Sequence, residues 1–313
     1  MEFTRDKIDK LIDIAKLYYE EDKTQSEIAK IYGVSRPLVS RFLKEAKEAG
    51  IVNIRIGLPV GYDDINENNI KKRLGIDGIV TVKYSGNDND TNRDIAVSSM
   101  NLIKSLKGGK IGIGWGTAIG QLIQNLEEGI NYMGYMKSVC PLVGNSGVSN
   151  RNYHSNEIVR IFSEHTKSHA DYIYSPAFAE TSYEMELIKR LENYKTVYEK
   201  WENIDIALVN IGNYPSVPDF ASGARYGTLL MDKKAVGRLL AYYYDAKGEI
   251  IHSDTDYAIQ IPVKLLQKCK NVIGICSSNV TPRALLGAVN TGVINYIVAV
   301  EETVKGMFEL AEK

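Results

Sequence analysis

TQSEIAKIYGVSRPLVSRFLK, residues 24–44, reads as two short helices joined by a tight turn. Thr24 stands where an N-cap belongs, and Glu27 follows at the capping-box position. Ile28, Ala29 and Ile31 form the apolar set of the first helix, and Gly33 suits the turn. Ser35 is placed to cap the second helix, whose first turn holds Pro37, where a missing N–H costs nothing. Val34, Val39 and Phe42 or Leu43 supply an inner face, and the small Ala29 lets the two helices approach closely. Arg36, Ser40, Arg41 and Lys44 are left on the outside. This is the pattern of a helix-turn-helix recognition helix. The expected DNA contacts are Ser35, Arg36, Ser40, Arg41 and Lys44.

The flanks extend the unit. Ile8, Leu11, Ile12, Ala15 and Tyr18 or Tyr19 recur at helical spacing and predict a helix over about residues 4–20. After Gly50, which should end the recognition helix, Val52, Ile54 and Ile56 alternate with Asn53 and Arg55. That predicts a short strand, hence a winged form of the motif, and a domain over residues 1–56. Amphipathic helix pairs around a glycine also occur in domains that bind nothing. The Ala29, Gly33, Val39 spacing, the capped second helix and the strand after it separate this stretch from those. Residues 35–55 carry a net charge of +3, the local basic surface that phosphate contacts need.

The remaining 257 of 313 residues suit one large domain or two small ones. The net charge of −1 excludes a general polyanion-binding surface. Cys140, Cys269 and Cys276 are scattered, two of them in apolar runs, and predict buried thiols in a reducing compartment, not a disulfide scaffold. His165 and His169 are four apart, but no Glu stands where a metalloprotease helix requires it. No metal or other cofactor is expected. The chain shows no signal peptide and no apolar run long enough to span a bilayer, so a cytoplasmic protein without membrane contact is expected.

Residues 57–75 read as a polar hinge leading into a short helix. Beyond them strands and helices alternate. GIVTVKYS, GKIGIG, YMKSVCPLVG, DIALVNIG, NVIGICSS and NYIVAV are short apolar strands. TNRDIAVSSMNLIKSL, TAIGQLIQNL, SNEIVRIFSEHTKS, SYEMELIKRLENY, KKAVGRLLAYYY and PRALLGAVNTG have helical periodicity. The expectation is an α/β fold, a Rossmann-like, mostly parallel sheet over residues 57–313, covered on both faces. Ligands of such sheets sit outside the carboxyl ends of the strands. Four of those ends carry small or amide residues: Gly114–Thr117, Gly144–Gly147, Asn210–Asn213 and Ser277–Asn279. Backbone N–H groups at the following helix starts suit an anion such as a phosphate. The WGTAIG turn lacks the three-glycine dinucleotide spacing.

SRPLVSRFLKEAKEAGIVNIRI, the GIGWGT loop, DIALVNIG, KKAVGRLLAYYYDAKGEI and VIGICSSNVTPRALLGAVNTGVINYIV together resemble the SorC family of bacterial transcriptional regulators, including its deoxyribonucleoside regulator branch. The resemblance spans essentially the whole chain. It implies a winged helix-turn-helix followed by a sugar-phosphate-sensing domain similar in fold to ribose-5-phosphate isomerase and glucosamine-6-phosphate deaminase. It further implies homo-dimers or tetramers on double-stranded operator DNA, and a phosphorylated sugar that changes that binding. Carried over by position, Gly116, Thr117 and Ala118 meet the phosphate. Gly144, Asn145, Ser146 and Asn152 line the sugar side. Asn210, Gly212, Asp245, Ser277, Ser278 and Thr281 close the pocket.

The chain departs from that pattern at three places. A glycine pair followed by Lys is replaced by Ser277–Ser278 with Thr281, and Arg283, two residues on, is the expected substitute cation, with Arg151 and Arg225 as alternatives. The Asp usual after AVG is Arg238. The Schiff-base Lys of the deoxyribonucleoside regulators is Val143, so a reversible, non-covalent effector is expected. Two other readings stay open at this level. One is a sugar-phosphate isomerase or deaminase with a DNA-binding appendage, using Asp245, Asp254 or Asp256. The other is a dimerisation scaffold without ligand.

Overall fold

The computed structural model describes residues 5–49, 51–52, 74–126, 135–216 and 225–312. The chain forms two compact units, Met1–Tyr62 and Asp63–Lys313. The wing strand expected from residue 52, the terminating Gly50 and the hinge at 57–73 lie outside the described residues, apart from Val52 itself.

In the first unit, helices α1 (Arg5–Tyr19), α2 (Gln25–Tyr32) and α3 (Arg36–Glu48) enclose Leu11, Ile14, Ala15, Ile28, Ala29, Val39, Leu43 and Ala46. The capping box forms: Glu27 N–H donates to Thr24 Oγ1, and Thr24 N–H donates to Glu27 Oε2 at 2.8 Å. Those hydrogen bonds from Thr24 hold the Glu27 carboxyl below its ordinary range. Gly33 ends α2 at φ +62°, and Val34 N–H reaches back to the Ala29 carbonyl at 2.9 Å. That backbone closure is a Schellman turn, which glycine enters without strain. Two sequence expectations need correction here. Ile31 is 57% exposed and is not part of the inner face. Ile14, fully buried, takes the place in the α1 stripe that Ile12 was expected to fill.

The second unit is built on a ten-stranded sheet. Its parallel part has the order β1 (Gly78–Val82), β10 (Tyr296–Val300), β9 (Asn271–Cys276), β5 (Ile206–Asn213), β2 (Gly109–Ile113), β3 (Met136–Pro141), β4 (His169–Ala170). Ile206, Ala207, Leu208 and Val209 of β5 are all fully buried, as are Val272, Ile273 and Ile275 of β9. Such unbroken apolar runs arise when both sheet faces are covered. Helices α4 (Asp88–Ser105), α5 (Thr117–Gln124), α6 (Ser155–Thr166), α7 (Ser182–Arg190) and α8 (Glu192–Trp201) follow or separate the first strands. The chain runs outward from β2 to β3 and β4, then returns to place β5 between β2 and β9. The strand order therefore reverses between β2 and β5, which opens a crevice at their carboxyl ends.

KKAVGRLLAYYY is not a helix. Residues 235–251 form an antiparallel extension, β6 (Ala235–Leu239), β7 (Tyr242–Asp245) and β8 (Ile250–Ile251), paired onto the end of β5. Val236, Leu239, Leu240, Tyr243 and Tyr244 are all buried, and their spacing imitates a helical stripe. A tight hairpin covered on both faces produces the same spacing. Leu240 turns the chain at φ +52°, Gly237 lets β6 approach the Gly212 carbonyl, and three consecutive tyrosines favour strand. Four further helices follow among the described residues: α9 (Leu229–Asp232), α10 (Val263–Lys268), α11 (Pro282–Asn290) and α12 (Glu301–Ala311).

The three cysteines are buried, and burial pushes the Cys140 thiol up to about 12 and Cys276 higher still. Among the described residues no helix is long and apolar enough to cross a membrane, and no His, Cys, Asp and Glu cluster could hold a metal. Helix α8 fixes the outer part of the sheet through Trp201. Its ring is buried, packs edge-on against Tyr194, and donates Nε1–H to the Pro141 carbonyl at 2.7 Å. Trp201→Ala should lower unfolding free energy by about 3–5 kcal/mol, read from urea denaturation followed by circular dichroism. A loss near zero would mean that α8 is not docked through this ring.

Candidate functional site

The turn after β2 is shaped by two bare glycines. Gly114 N–H donates to the Leu208 carbonyl at 2.9 Å, drawing the turn onto β5. Gly116 sits at φ +112°, a conformation that favours glycine. A Cβ there would lie 2.8 Å from Asn210 Cγ. Gly116 also donates its N–H to the Asn152 carbonyl at 2.7 Å. Helix α5 then starts with no side-chain cap at Gly116 and no acidic residue in its first turn. Asn210, 8% exposed, supplies a cap from the neighbouring strand: its Oδ1 accepts the Ala118 N–H at 2.8 Å. Thr117 is exposed at the mouth of the crevice. The helix start thus presents amide donors and partial positive charge beside a neutral amide.

A second strand end is bound to the first through Tyr153. Ser146 N–H donates to the Tyr153 carbonyl at 3.3 Å, and the Tyr153 ring packs edge-on against Trp115 at 5.4 Å between centroids. Gly144 is pressed against the Pro176 carbonyl and accepts from Ser155 Oγ. Asn145 spends its amide on structure: Nδ2 donates to the Ile173 carbonyl and Oδ1 accepts the Asn156 N–H. Asn152 lies against Gly120 of α5, where any Cβ would overlap its amide. The carboxyl end of β9 joins through Asn213, whose Oδ1 accepts the Thr281 N–H and whose Nδ2 donates to the Asn279 carbonyl, both at 2.9 Å. Ser277 is hydrogen-bonded to Asn279, Ser278 N–H is held by Asn92, and Thr281 caps α11.

Three expected residues are placed elsewhere. Asp245 lies in the β7–β8 turn, where its Oδ1 accepts the Lys247 and Glu249 N–H groups at 2.9 and 3.0 Å. Arg283 is exposed in the first turn of α11, and its guanidinium makes no hydrogen bond or ion pair among the described residues. Arg225 is 7% exposed, stacked 4.1 Å from the Phe178 ring centroid and bound to Asp256. Tyr226 donates to the other Asp256 oxygen at 2.6 Å, and burial followed by that bond raises its phenol. Asp256 is therefore engaged by two donors, and Asp254 is exposed.

Sequence reasoning noted Arg238 only as a departure and missed Tyr153 as a site residue. Arg238 lies opposite Gly212 in the β5–β6 pair. A Cβ on Gly212 would sit 3.4 Å from both Arg238 Cγ and Nε, and 3.3 Å from Asn210 Nδ2. The guanidinium donates from Nη2 to Tyr153 Oη at 2.8 Å. Gly116, Ala118, Asn152, Asn210, Gly212 and Arg238 thus form one cluster at the β2–β5 crevice. The sequence signal was a single arginine inside an otherwise apolar and aromatic run.

The first unit presents a separate surface. Ser35, Arg36, Ser40, Arg41 and Lys44 are all exposed, and Val39 and Leu43 are buried. Arg41 Nε donates to Glu45 Oε1 at 3.0 Å, and Lys7 reaches the same carboxylate from α1. Those two cations lower the Glu45 carboxyl, Lys7 most. An open hollow of about 560 Å³ lies beside the start of α2, lined by Thr24, Gln25, Ser26 and Arg36 among others.

Residues 62–309 match the Sugar-bind family, described as a "Putative sugar-binding domain", and residues 13–49 match Sigma-70 region 4. The sorbitol operon regulator of Klebsiella pneumoniae is 28% identical, over 95% of this chain and 97% of that one. The solved structure of that full-length regulator, SorC, superposes with a TM-score of 0.82, covering 97% of this chain and 99% of its own. The chain belongs to the SorC family of sugar-binding transcriptional regulators. The deoxyribonucleoside regulator of Bacillus subtilis is also similar, at 27% identity over 97% of this chain and 98% of its own. These relatives are named as regulators, not enzymes. Within this SorC-family chain the buried Arg225–Asp256 pair is structural. Arg225→Ala should destabilise the second unit by about 3–5 kcal/mol, because it strands a half-buried carboxylate. Thermal unfolding checks this, and an unchanged midpoint would show the pair to be dispensable.

Proposed function

We propose that this regulator changes its operator affinity on reversible, non-covalent binding of a small phosphorylated sugar. The observation that carries the reading is the start of α5: glycine turn, no acidic residue in the first turn, and an Asn210 amide where a carboxylate would repel an anion. In this reading Gly116, Thr117 and Ala118 meet the phosphate. Asn152, Asn210, Gly212 and the Gly144–Ser146 loop face the sugar. The turn from Ser277 through Ser278 to Thr281, tied to β5 by Asn213, closes the far side. Val143 is fully buried and carries no amine, and Lys137 stands at the amino end of β3, away from the carboxyl ends of the strands. No imine forms there.

In the first unit, Arg36, Arg41 and Lys44, with Ser35 and Ser40, contact DNA through the exposed face of α3. Arg41 exchanges Glu45 for a phosphate or base edge. A homo-dimer or tetramer belongs to this reading, since paired recognition helices match a palindromic operator. Effector binding shifts the population between states with different operator affinity.

Gel-shift titration tests both halves. Arg36→Ala and Arg41→Ala should each weaken operator binding, by about 1–3 kcal/mol for a residue that reads a base. Unchanged affinity in both variants would remove the assignment of α3. With wild-type protein, one sugar phosphate of a pentose and hexose panel should shift operator affinity by about 5- to 150-fold, and its dephosphorylated parent should not. Equal shifts by the parent sugar would overturn the phosphate site. A sugar adduct trapped by borohydride and seen by intact mass would overturn the non-covalent mode.

A further inference from the structure

Helix α7 turns an apolar row outward. Its inner side is seated through Ile188, which is buried, and its end leads directly into α8, docked through Tyr194, Val197 and Trp201. On the opposite side Tyr183, Leu187 and Leu191 are all exposed, Tyr183 by 73%. They recur at intervals of four, so they stand in one row along the helix. Tyr174, 76% exposed, extends that row. Its N–H donates at 2.9 Å to Oδ1 of Asn193, two residues past Leu191, which fixes it beside the start of α8. Single apolar residues are ordinary on a protein surface, but four large ones in one place, edged by charge, belong to an interface.

The charged edge says what covers the row. Glu186 and Arg190 are exposed, one turn apart, on the same side of it. Glu186 holds Lys189 within the helix at 2.9 Å, and Arg190 makes no hydrogen bond or ion pair among the described residues. The helix thus carries an acid one turn before a base. A two-fold axis through Leu187 lays a second α7 antiparallel to the first and reverses that order. In such a pair the same edge of each helix faces the other copy. Arg190 of each copy then meets Glu186 of the other, Tyr183 of each meets Leu191 of the other, and the helix dipoles run in opposite directions. A different protein would have to supply this complement from its own sequence. A second copy of this chain supplies it by symmetry.

We infer that α7 is a homodimer contact, in which two copies pair antiparallel about Leu187 through Tyr183, Leu187 and Leu191, with Arg190–Glu186 ion pairs at the rim. The inference rests on the homo-oligomer part of the reading above and deepens it by naming the surface.

Sedimentation velocity on the full chain tests it across a concentration series. Wild-type protein should sediment as a dimer or larger. Leu187→Arg places a charge at the two-fold axis and should raise the dissociation constant of the contact by about 10- to 100-fold; a tetramer would show this as a fall to dimers. Glu186→Arg and Arg190→Glu should each weaken assembly, because each sets like charges against one another at both rims. Mixed in equal amounts, these two variants should associate again, since one chain brings two arginines on its edge and the other two glutamates. Mixing does not repair a folding defect, so this rescue reports the contact itself. A mixture that stays apart overturns the two-fold pairing. Leu187→Arg assembling as wild type overturns the inference while a homo-oligomer through another surface stands. A wild-type monomer at every concentration brings down both.

Discussion

One hydrogen bond, from the Ala118 N–H to Asn210 Oδ1 across 2.8 Å, ties the turn after β2 to the neighbouring strand β5. Both residues flanking that contact are bare because the approach is so close. A methyl on Gly116 would overlap Asn210, and one on Gly212 would press on both Asn210 and Arg238. The same closeness draws Gly114 onto the Leu208 carbonyl and Gly116 onto the Asn152 carbonyl. A carboxylate at position 210 could accept the same bond, but would place negative charge at the mouth of the crevice where the effector phosphate is proposed to bind. The amide closes the helix start and keeps the crevice electrically open.

The parallel sheet was legible because burial on both faces writes itself as unbroken apolar strands, as in Ile206–Val209 and Val272–Ile275. The helix-turn-helix was legible because caps are chemical: Thr24 with Glu27, and Gly33 in a left-handed turn. Residues 235–251 were misread because Val236, Leu239, Leu240, Tyr243 and Tyr244 have the spacing of a helix and the packing of a hairpin. Periodicity reports which residues are buried. It does not report whether the chain reversed direction between them. That error also hid the site. Read as part of a helix, Arg238 had no assigned face; placed on β6 against Gly212, it reaches the carboxyl ends of β5 and β2.

The charges on α3 show the same dependence on partners. Sequence counting gave residues 35–55 a net positive surface, yet Glu45 sits between Lys7 and Arg41 and engages both. The pairing joins α1 to α3 and orders Arg41 before any DNA arrives. Arg41 is the exposed partner of the pair and Glu45 the shielded one, so the arginine can leave while Lys7 still holds the carboxylate. In the proposed DNA contact, Arg41 exchanges Glu45 for a phosphate while Lys7 keeps α1 joined to α3.

Arg225 and Arg238 separate two uses of one side chain. Arg225 is almost wholly buried, stacked on Phe178 and bound to an Asp256 that also receives the Tyr226 hydroxyl. Its charge was balanced when the chain folded, and removal of either partner would leave the other in a medium that solvates ions poorly. Arg238 is half-buried, and its Nη2 donates to the Tyr153 hydroxyl at 2.8 Å. The distinction lies in what each side chain packs against, and no count of arginines in a sequence can supply it. In this fold it also follows from topology: Arg225 packs around Asp256, whereas Arg238 stands on the strand that extends the sheet beside the crevice. The antiparallel β6–β8 extension is thus more than a sheet edge. It carries a cation to the place where the parallel strands alone supply only backbone amides.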